Sequence, residues 1–331
     1  MDKKLSIVIV TKDTKALVQG LLSSIKRDTS LAPSIDQVIV MDNGSIDGTV
    51  DAITRQYPDV ICVRNEQNRG FAAAVNKGYS LSKGEYIIFL NSDTILIEGE
   101  LTKMIDFMDE NPDVAICGPQ LVYEDMKPQR SFAALPSLAR EILPFKRSGR
   151  RTGPGRHPET GAKQSTHPSS LPVSKPRAIA GVPVDSLIGA AILVRAEALV
   201  TLNGFDERFF FFLEETDLCV RARRAGYGVV FLPEAKVIHL QGKTVRRHWI
   251  PGRIEYNISL YKFIRKHHRP AYYTLFTAIR FTKALIFVVI FSLFFPFLFH
   301  GGVRAKYIYY TRLLTWHLKG RPDGAGLAHP K

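Results

Sequence analysis

The chain has 331 residues, enough for one large domain or two smaller ones, and its apolar content of 45% is ordinary for a globular core. Its three cysteines, Cys62, Cys117 and Cys219, lie far apart with no Cys-x-x-Cys, which excludes a disulfide framework or a cysteine-built zinc site and fits a reducing compartment. The net charge of +14 belongs to one end: residues 240–331 hold 16 Lys or Arg against 2 Asp or Glu, whereas residues 1–239 hold 29 of each. A basic region suits nucleic acid or an anionic membrane surface. Here the bases flank the most apolar stretch, which favours the membrane and argues against a nucleic-acid-binding protein.

In chain order, Leu5 to Val10 is a buried strand, too short to be a signal peptide, so a cytoplasmic location is expected. Thr14 to Lys26 has helical spacing. Val38 to Met41 is a second strand, followed by the turn residues Asp42-Asn43-Gly44-Ser45 and Asp47-Gly48-Thr49. A helix over Val50–Tyr57, a strand over Val60–Val63, a helix over Gly70–Leu81 and a strand over Tyr86–Leu90 come next. Leu101–Met108 is a helix and Val114–Cys117 a strand. Strands alternating with helices at this spacing predict a mostly parallel sheet with right-handed crossovers.

Residues 146–177 break the pattern with a Gly, Pro, Ser and Arg-rich stretch that cannot bury a core. The expectation is a mobile basic loop, serving either as a passive linker or as a segment that orders over substrate. Beyond it come a strand over Gly189–Val194, helices over Arg195–Leu202 and Leu213–Ala225, and a strand over Val229–Leu232. Residues 284–299 are free of charge, just short of the ~20 residues that cross a bilayer, with Arg280 and Lys283 before and Arg304 and Lys306 after. Cations on both flanks suit an interfacial or re-entrant helix better than a single span.

The chemistry gathers at strand ends, where parallel sheets bind ligands. Thr11 follows the first strand, Asp42 and Asn43 the second, Asn65, Asn68 and Arg69 the third, and Asn91, Ser92 and Asp93 the fourth. Turn chemistry explains one such cluster but not four in succession. No Gly-x-Gly-x-x-Gly follows the first strand, and Gly242-Lys243-Thr244 lacks the earlier glycine of a P-loop. Phosphate handling therefore falls to a carboxylate-held Mg²⁺ or Mn²⁺, with Asp93 as the acid. Downstream, Glu214, Glu215 and Asp217 stand hard against four phenylalanines, Phe209 to Phe212. Grouped acids beside an apolar run are costly to bury unless a proton or cation joins them, which suits a base or a metal-facing carboxylate.

This set resembles the family 2 glycosyltransferases, inverting enzymes of GT-A fold, and most closely their rhamnosyltransferase-like branch. The matching segments are Ser6 to Thr11, Met41 to Thr49, Asn68 to Gly78, Phe89 to Asp93, Gly189-Ala190, Gly204 to Arg221 and His239. The resemblance, over roughly residues 4–245, implies an α/β fold of GT-A type, a mostly parallel Rossmann-like sheet flanked by helices over residues 1–254; the charge and apolar pattern add a basic, apolar, helical membrane-associated region over 255–331. The resemblance assigns nucleotide-sugar binding to Thr11, Asp42, Asn43, Arg69, Asn91 and Ser92, and metal binding to Asp93 with His239 near the diphosphate. It makes Glu215 the catalytic base, with Glu where Asp is more usual, and puts Glu214 and Asp217 beside it. Asn91 replaces the first acid of the metal motif, and Ser186 stands where the family has a tryptophan. The implied function is transfer of a sugar, expected to be rhamnose from dTDP-rhamnose with UDP-sugars next. The implied acceptor is a lipid-linked glycan in cell-surface polysaccharide synthesis, met at the cytoplasmic face of the membrane. The alternative is a catalytically silent sugar-nucleotide or glycan-binding protein of the same fold.

Overall fold

A computed structural model describes residues 4–142, 181–240, 249–293 and 301–327. The expected loop at 146–177 and the Gly242-Lys243-Thr244 segment lie outside the described residues. The first half alternates as its sequence predicts: β1 (Leu5–Thr11), α1 (Lys15–Arg27), β2 (Ile35–Asp42), α2 (Thr49–Gln56), β3 (Ile61–Arg64), α3 (Phe71–Ser80) and β4 (Tyr86–Asn91). The four strands are parallel in the order β3-β2-β1-β4, with Val8 level with Ile39 on one side and Phe89 on the other. Leu5, Ile7, Val8 and Ile9 are all wholly buried, as a strand covered on both faces requires. Val18, Leu21, Leu22 and Ile25 of α1 close one face at helical spacing, and Phe71, Ala72 and Val75 of α3 close the other.

The second half is mixed. β5 (Thr94–Leu96), α4 (Glu100–Glu110), β6 (Val114–Val122), β7 (Phe132–Ala133) and α5 (Leu138–Ile142) lead to β8 (Val182–Pro183), β9 (Ser186–Leu187) and β10 (Ala191–Arg195). Then follow α6 (Ala196–Leu202), α7 (Glu214–Arg224) and β11 (Gly228–His239). The sheet continues β4-β10-β6-β11-β5, with β10 antiparallel to both neighbours and β6 parallel to β11. A buried apolar run such as Ala191–Val194 announces a strand but not its direction. Here the chain enters β10 from the edge at which β4 ends, and the buried Arg195 closes the far end by donating to Tyr86 Oη at 3.1 Å and the Met108 carbonyl at 2.8 Å.

Three helices complete the chain: α8 (Trp249–His267), α9 (Pro270–Leu293) and α10 (Gly301–Leu318). α8 runs through the boundary expected at residue 254. It shares a core with the segment before α7, where Phe209 and Leu213 meet Ile254, Ile258, Tyr261 and Ile264. Ions add to this contact. Asp217 is fully buried, and its Oδ1 accepts from Lys266 Nζ at 2.6 Å and His267 Nε2 at 2.7 Å, while Oδ2 accepts from Arg221 Nε at 2.7 Å. Arg224 donates to His267 Nδ1 at 2.9 Å, so the proton facing Asp217 sits on Nε2. Burial opposes ionisation of Asp217, but the bonds from His267, Lys266 and Arg221 outweigh it and hold the carboxyl below its usual range. Asp217 was expected in the catalytic group; its oxygens are instead committed to two cations, Lys266 and Arg221, and the His267 N–H, so it fastens α7 to α8.

α9 is long and apolar enough to cross a membrane. It begins at Pro270, well before the charge-free run, and that run is described here only as far as Leu293. Ile286, Val289, Ile290 and Leu293 expose their side chains along one face. On the other side Arg280 pairs with Glu141 of α5 and bonds Asn257 of α8.

Two changes test this packing. A Cβ on Gly84 would lie 2.6 Å from both the Lys4 carbonyl oxygen and the Ser6 nitrogen, so Gly84→Ala should cost about 1–3 kcal/mol, read as a lower denaturant midpoint at unchanged m. Asp217→Asn removes the charge shared by Lys266 and Arg221, although Lys266 keeps Asp206 at 2.7 Å and Arg221 keeps the Leu202 and Gly204 carbonyls, and should cost about 1.5–3 kcal/mol. Because the folded-state pKa of Asp217 is depressed, the gap to wild type is full above the ordinary value of 3.8 and closes as pH falls through the folded-state value. Urea titrations at several pH values measure it.

Candidate active site

The carboxyl edge of β1 to β4 gathers most of the expected polar residues. Thr11 Oγ1 lies 2.7 Å from Thr14 Oγ1, which lies 3.0 Å from Ser92 Oγ, so the ends of β1 and β4 are joined by hydroxyls. Asp42 is fully buried. One oxygen accepts from the Ser45 N–H at 2.9 Å and the other has no partner among the described residues. An orphaned buried acceptor is costly, and at a strand end it suits a donor group on a ligand. Asn43 is a different case. Its Oδ1 accepts from Asn65 at 2.9 Å and its Nδ2 donates to the Gly70 carbonyl at 3.0 Å. Expected to touch the nucleotide sugar, it is instead tied into the scaffold of β2, β3 and α3. Arg69 is exposed over a cleft of 310 Å³ lined by Asn65, Ala73, Asn76, Lys77, Ser80 and Glu207, where Asn65 is the other expected strand-end residue on its walls.

At the end of β4 the Asn91 N–H donates to the Ala190 carbonyl at 2.9 Å. β5 then pairs antiparallel with β11, Thr94 level with His239, and this short strand brings Asp93 and His239 together. Asp93 Oδ1 lies 3.5 Å from His239 Nε2. Gln129, which the sequence reading passed over, orients the ring. Its Nε2 donates to the His239 carbonyl at 2.6 Å and the Val122 carbonyl at 3.1 Å, which turns its Oε1 toward His239 Nδ1 at 3.1 Å. The Nδ1 proton therefore points at Gln129 and leaves Nε2 facing Asp93. One carboxylate and one oriented imidazole make a partial donor set. Among the described residues no group of three or more His, Cys, Asp or Glu could hold a metal alone. Such a pair fits a cation that takes its remaining ligands from diphosphate and water, as Mg²⁺ and Mn²⁺ do.

The acids at the head of α7 are placed by strained backbone. Phe212 and Leu213 both have left-handed φ, 71° and 64°, a conformation that costs about 1–3 kcal/mol each outside glycine. Phe210 holds the segment down: its carbonyl accepts from the Phe71 N–H at 2.7 Å, and Gly70, at φ 87°, leaves no Cβ to strike it. Glu214 and Glu215 follow at the helix N-terminus, where backbone N–H groups favour negative charge. Glu214 is buried with one oxygen unpartnered. Burial, then the neighbouring charges of Glu215 and Glu255, push its carboxyl well above the usual range. Burial also raises Glu215, against hydrogen bonds from the helix N-terminus and Thr216. The pair titrates as a unit, with the proton drawn to the more buried Glu214.

Glu215 meets the strand-end cluster through Gly189. A Cβ at Gly189 would lie 3.3 Å from the Glu215 Cγ, so the missing side chain is the space the glutamate occupies. Gly189 precedes Ala190, the residue that accepts from Asn91. Thr216 Oγ1 donates to Glu215 Oε1 at 3.3 Å and is itself bonded to the buried Ser186 hydroxyl at 3.0 Å. The structure thus joins Thr11, through Thr14, to Ser92, sets Asp93 beside His239, and brings Glu215 by way of Gly189 and Ala190 to Asn91, with Asp42 at the neighbouring strand end. Arg69 and Asp217 face other surroundings.

The family model described as glycosyl transferase family 2 matches residues 6–169. A similar protein is the N-acetylglucosaminyl-diphospho-decaprenol L-rhamnosyltransferase of Mycobacterium tuberculosis H37Rv, 28% identical over 280 residues, covering 81% of this chain and 86% of the relative. The rhamnosyltransferase WbbL of Escherichia coli K12 is 27% identical over 175 residues, 52% of this chain and 59% of its own length. Among solved structures, the mannosyltransferase PcManGT of Pyrobaculum calidifontis, in complex with GDP-Man and Mn²⁺, superposes with a TM-score of 0.55 over 97% of this chain and 87% of that one, at 14% identity, a likeness of fold. With strand-end polar clusters, buried paired acids and a mixed sheet of this order, the chain belongs to glycosyl transferase family 2 and is a glycosyltransferase of GT-A fold.

Proposed function

We propose that the protein transfers rhamnose from dTDP-rhamnose, with UDP-sugars as the second donor class, to a hydroxyl of a lipid-linked glycan acceptor, inverting the anomeric configuration. The observation that carries this reading is the placement of Glu215 against Gly189, next to Ala190, which bonds the end of β4 two residues before Asp93, itself 3.5 Å from His239 at the end of β11. A base and a cation-binding pair on one edge suit displacement of a nucleoside diphosphate by an alcohol. The rhamnosyltransferase relatives, one named for a diphospho-decaprenol acceptor, support the choice of sugar and of lipid.

In this mechanism Glu215 takes the proton of the acceptor hydroxyl as that oxygen attacks the anomeric carbon from the face opposite the diphosphate. Glu214 stays protonated and spares Glu215 a second negative charge in the same apolar setting. Thr216 holds one Glu215 oxygen in place. Thr11 and the free oxygen of Asp42 meet the ribose and base, while Asn91 and Ser92 line the approach to the diphosphate. Asp93 and His239 would hold the divalent cation, which when bound offsets negative charge building on the diphosphate. Residues 1–254 supply this catalytic fold and residues 255–331 the membrane-associated region, the two meeting within α8. That region, basic around an exposed apolar helix, suits the anionic cytoplasmic face of the cell membrane.

Glu215→Gln should retain donor binding and lose transfer by ~10²–10⁴ in kcat; full turnover in that variant refutes the assignment. In the wild type, kcat/KM should rise with pH through an acid limb above the 4.5 of an ordinary glutamate, because the base works deprotonated and burial raises its pKa. For the cation, Asp93→Ala should remove the Mn²⁺ dependence of donor binding, and Gln129→Ala should weaken it ~10–100-fold by freeing the His239 ring. Calorimetry of dTDP with and without Mn²⁺ decides, and an unchanged Mn²⁺ effect in Asp93→Ala counts against the site.

A further inference from the structure

Glu215 ends a short chain of buried hydroxyls. Thr216 Oγ1 lies 3.3 Å from Glu215 Oε1, Ser186 Oγ lies 3.0 Å from Thr216 Oγ1, and the Leu187 carbonyl oxygen lies 3.1 Å from Ser186 Oγ. Ser186 has no exposed surface and Thr216 and Leu187 are buried, so the protein itself must satisfy these contacts. Two elements hold the chain in place. β9, paired with β7 at Ala133, fixes Ser186 and Leu187, and the first turn of α7 fixes Thr216 and Glu215. The charge of Glu215 bears on three other titratable groups: Glu214 beside it, Cys219 one turn along α7, and Tyr256 of α8. Glu255 of α8 bears on Glu214 in turn. Burial pushes the Cys219 thiol up to about 12 and raises the Tyr256 hydroxyl, so both stay protonated while Glu215 titrates.

Three contacts need three hydrogens, and two hydroxyls supply only two. The Leu187 carbonyl can only accept. An ionised Glu215 can only accept as well, so the chain is then one hydrogen short: Thr216 donates to Glu215, and the single Ser186 hydrogen serves either Thr216 or Leu187. A proton on Glu215 Oε1 supplies the missing hydrogen. The bonds then run one way, from Glu215 to Thr216, from Thr216 to Ser186 and from Ser186 to the Leu187 carbonyl, and hydrogen bonds in series strengthen one another. We infer that Ser186 and Thr216 are positioning residues for the proton transfer, forming a hydroxyl chain that is completed by the proton Glu215 takes from the acceptor. The acceptor O–H bond breaks, its proton rests on Oε1, and the two hydroxyls turn without passing a proton on. This deepens the function proposed above and rests on it for the role of Glu215 as base. The two residues pull in opposite directions. Thr216 alone would favour the carboxylate, as any donor does. Ser186 gives the Thr216 hydrogen somewhere else to go, and so favours Glu215 once it is protonated.

The test titrates the Glu215 carboxyl in the full chain, with dTDP and Mn²⁺ present, by infrared difference spectra in which Glu215→Gln identifies the band. Ser186→Ala leaves the Thr216 hydrogen to the carboxylate, so the Glu215 titration should move down by about half a pH unit to one, the size of a neutral hydrogen bond. Thr216→Val removes the donor to the carboxylate and should move it up by about one unit. Thr216→Ser keeps the chain and should hold it within about 0.2 unit. Cys219→Ala should not move it. The acid limb of kcat/KM, measured with dTDP-rhamnose and farnesyl-diphosphate-linked N-acetylglucosamine, should follow the same order. Plateau kcat in Ser186→Ala should fall about threefold, because a weaker base drives proton transfer less, while dTDP affinity stays within about twofold. An unmoved titration in Ser186→Ala, or one that moves up as in Thr216→Val, overturns the inference, since the pair is then a plain donor to the carboxylate. A downward shift of equal size in Cys219→Ala overturns it too, because the thiol then supplies the third hydrogen. If Thr216→Val does not fold, Ser186→Ala set against Thr216→Ser decides alone. Full turnover in Glu215→Gln with the opposed shifts intact refutes the proposed function and keeps the chain. Lost turnover in Glu215→Gln without those shifts does the reverse.

Discussion

Everything at this site depends on how two adjacent glutamates are kept out of water. Burying a carboxylate is unfavourable by several kcal/mol unless it is neutralised or bonded, and here two stand side by side. The helix N-terminus of α7 offsets part of the cost through its free N–H groups. A proton drawn to Glu214 offsets more. The remainder is borne by the preceding segment, which accepts two left-handed non-glycine residues to turn the chain into the helix. That strain persists because the segment is held from three directions: Phe210 on α3, Phe211 on α8, and Phe209 and Leu213 in the apolar core of the C-terminal helices. Loosening any of these would let the loop relax and the acids hydrate.

The same logic explains why the glycines fall where they do. Gly70 lets the Phe210 carbonyl come close enough to bond the first turn of α3, and Gly189 vacates the volume that Glu215 fills. One glycine positions the loop and the other makes room for Glu215 beside the end of β4. The Asp93–His239 pair is built by a different device. A three-residue strand, β5, locks onto the far end of β11, and a glutamine held by two main-chain carbonyls fixes the ring. Both halves of the site therefore rest on main-chain contacts across the sheet edge, and little is left to mobile surface side chains.

What could be read from the sequence divides along physical lines. The parallel half was legible because buried β-branched runs alternating with amphipathic helices admit few arrangements, and the strand ends then line up the polar clusters without further information. Glu214 and Glu215 stood out because acids beside four phenylalanines contradict ordinary packing. The direction of β10 was hidden, since a strand buried on both faces has the same composition whichever way it runs. β5 was too short to show a period. Gln129 follows a turn with nothing in its neighbours to mark it, and its role exists only once β6 and β11 lie side by side. Asn43 and Asp217 illustrate the opposite error. Polar residues at the right place in a chain are as readily used to join elements as to meet a ligand, and only the partner list separates the two.

The C-terminal helices gain meaning from the charge they carry. Arg280 lies in the most apolar helix, yet it faces inward to Glu141 and Asn257 and so leaves the outer face of α9 apolar. A buried pair of this kind adds little net stability compared with an apolar substitute; its effect is to fix which side of the helix turns outward. With that side free of charge and the flanks basic, the helix is suited to lie against or enter an anionic bilayer. α8 is the rigid link between this surface and the acids, because Asp217 of α7 accepts from Lys266 and His267 of α8 while Ser259 joins it to the strained loop. A membrane contact made through α9 would thereby be held in register with the acids at the head of α7 by buried ion pairs and packed rings.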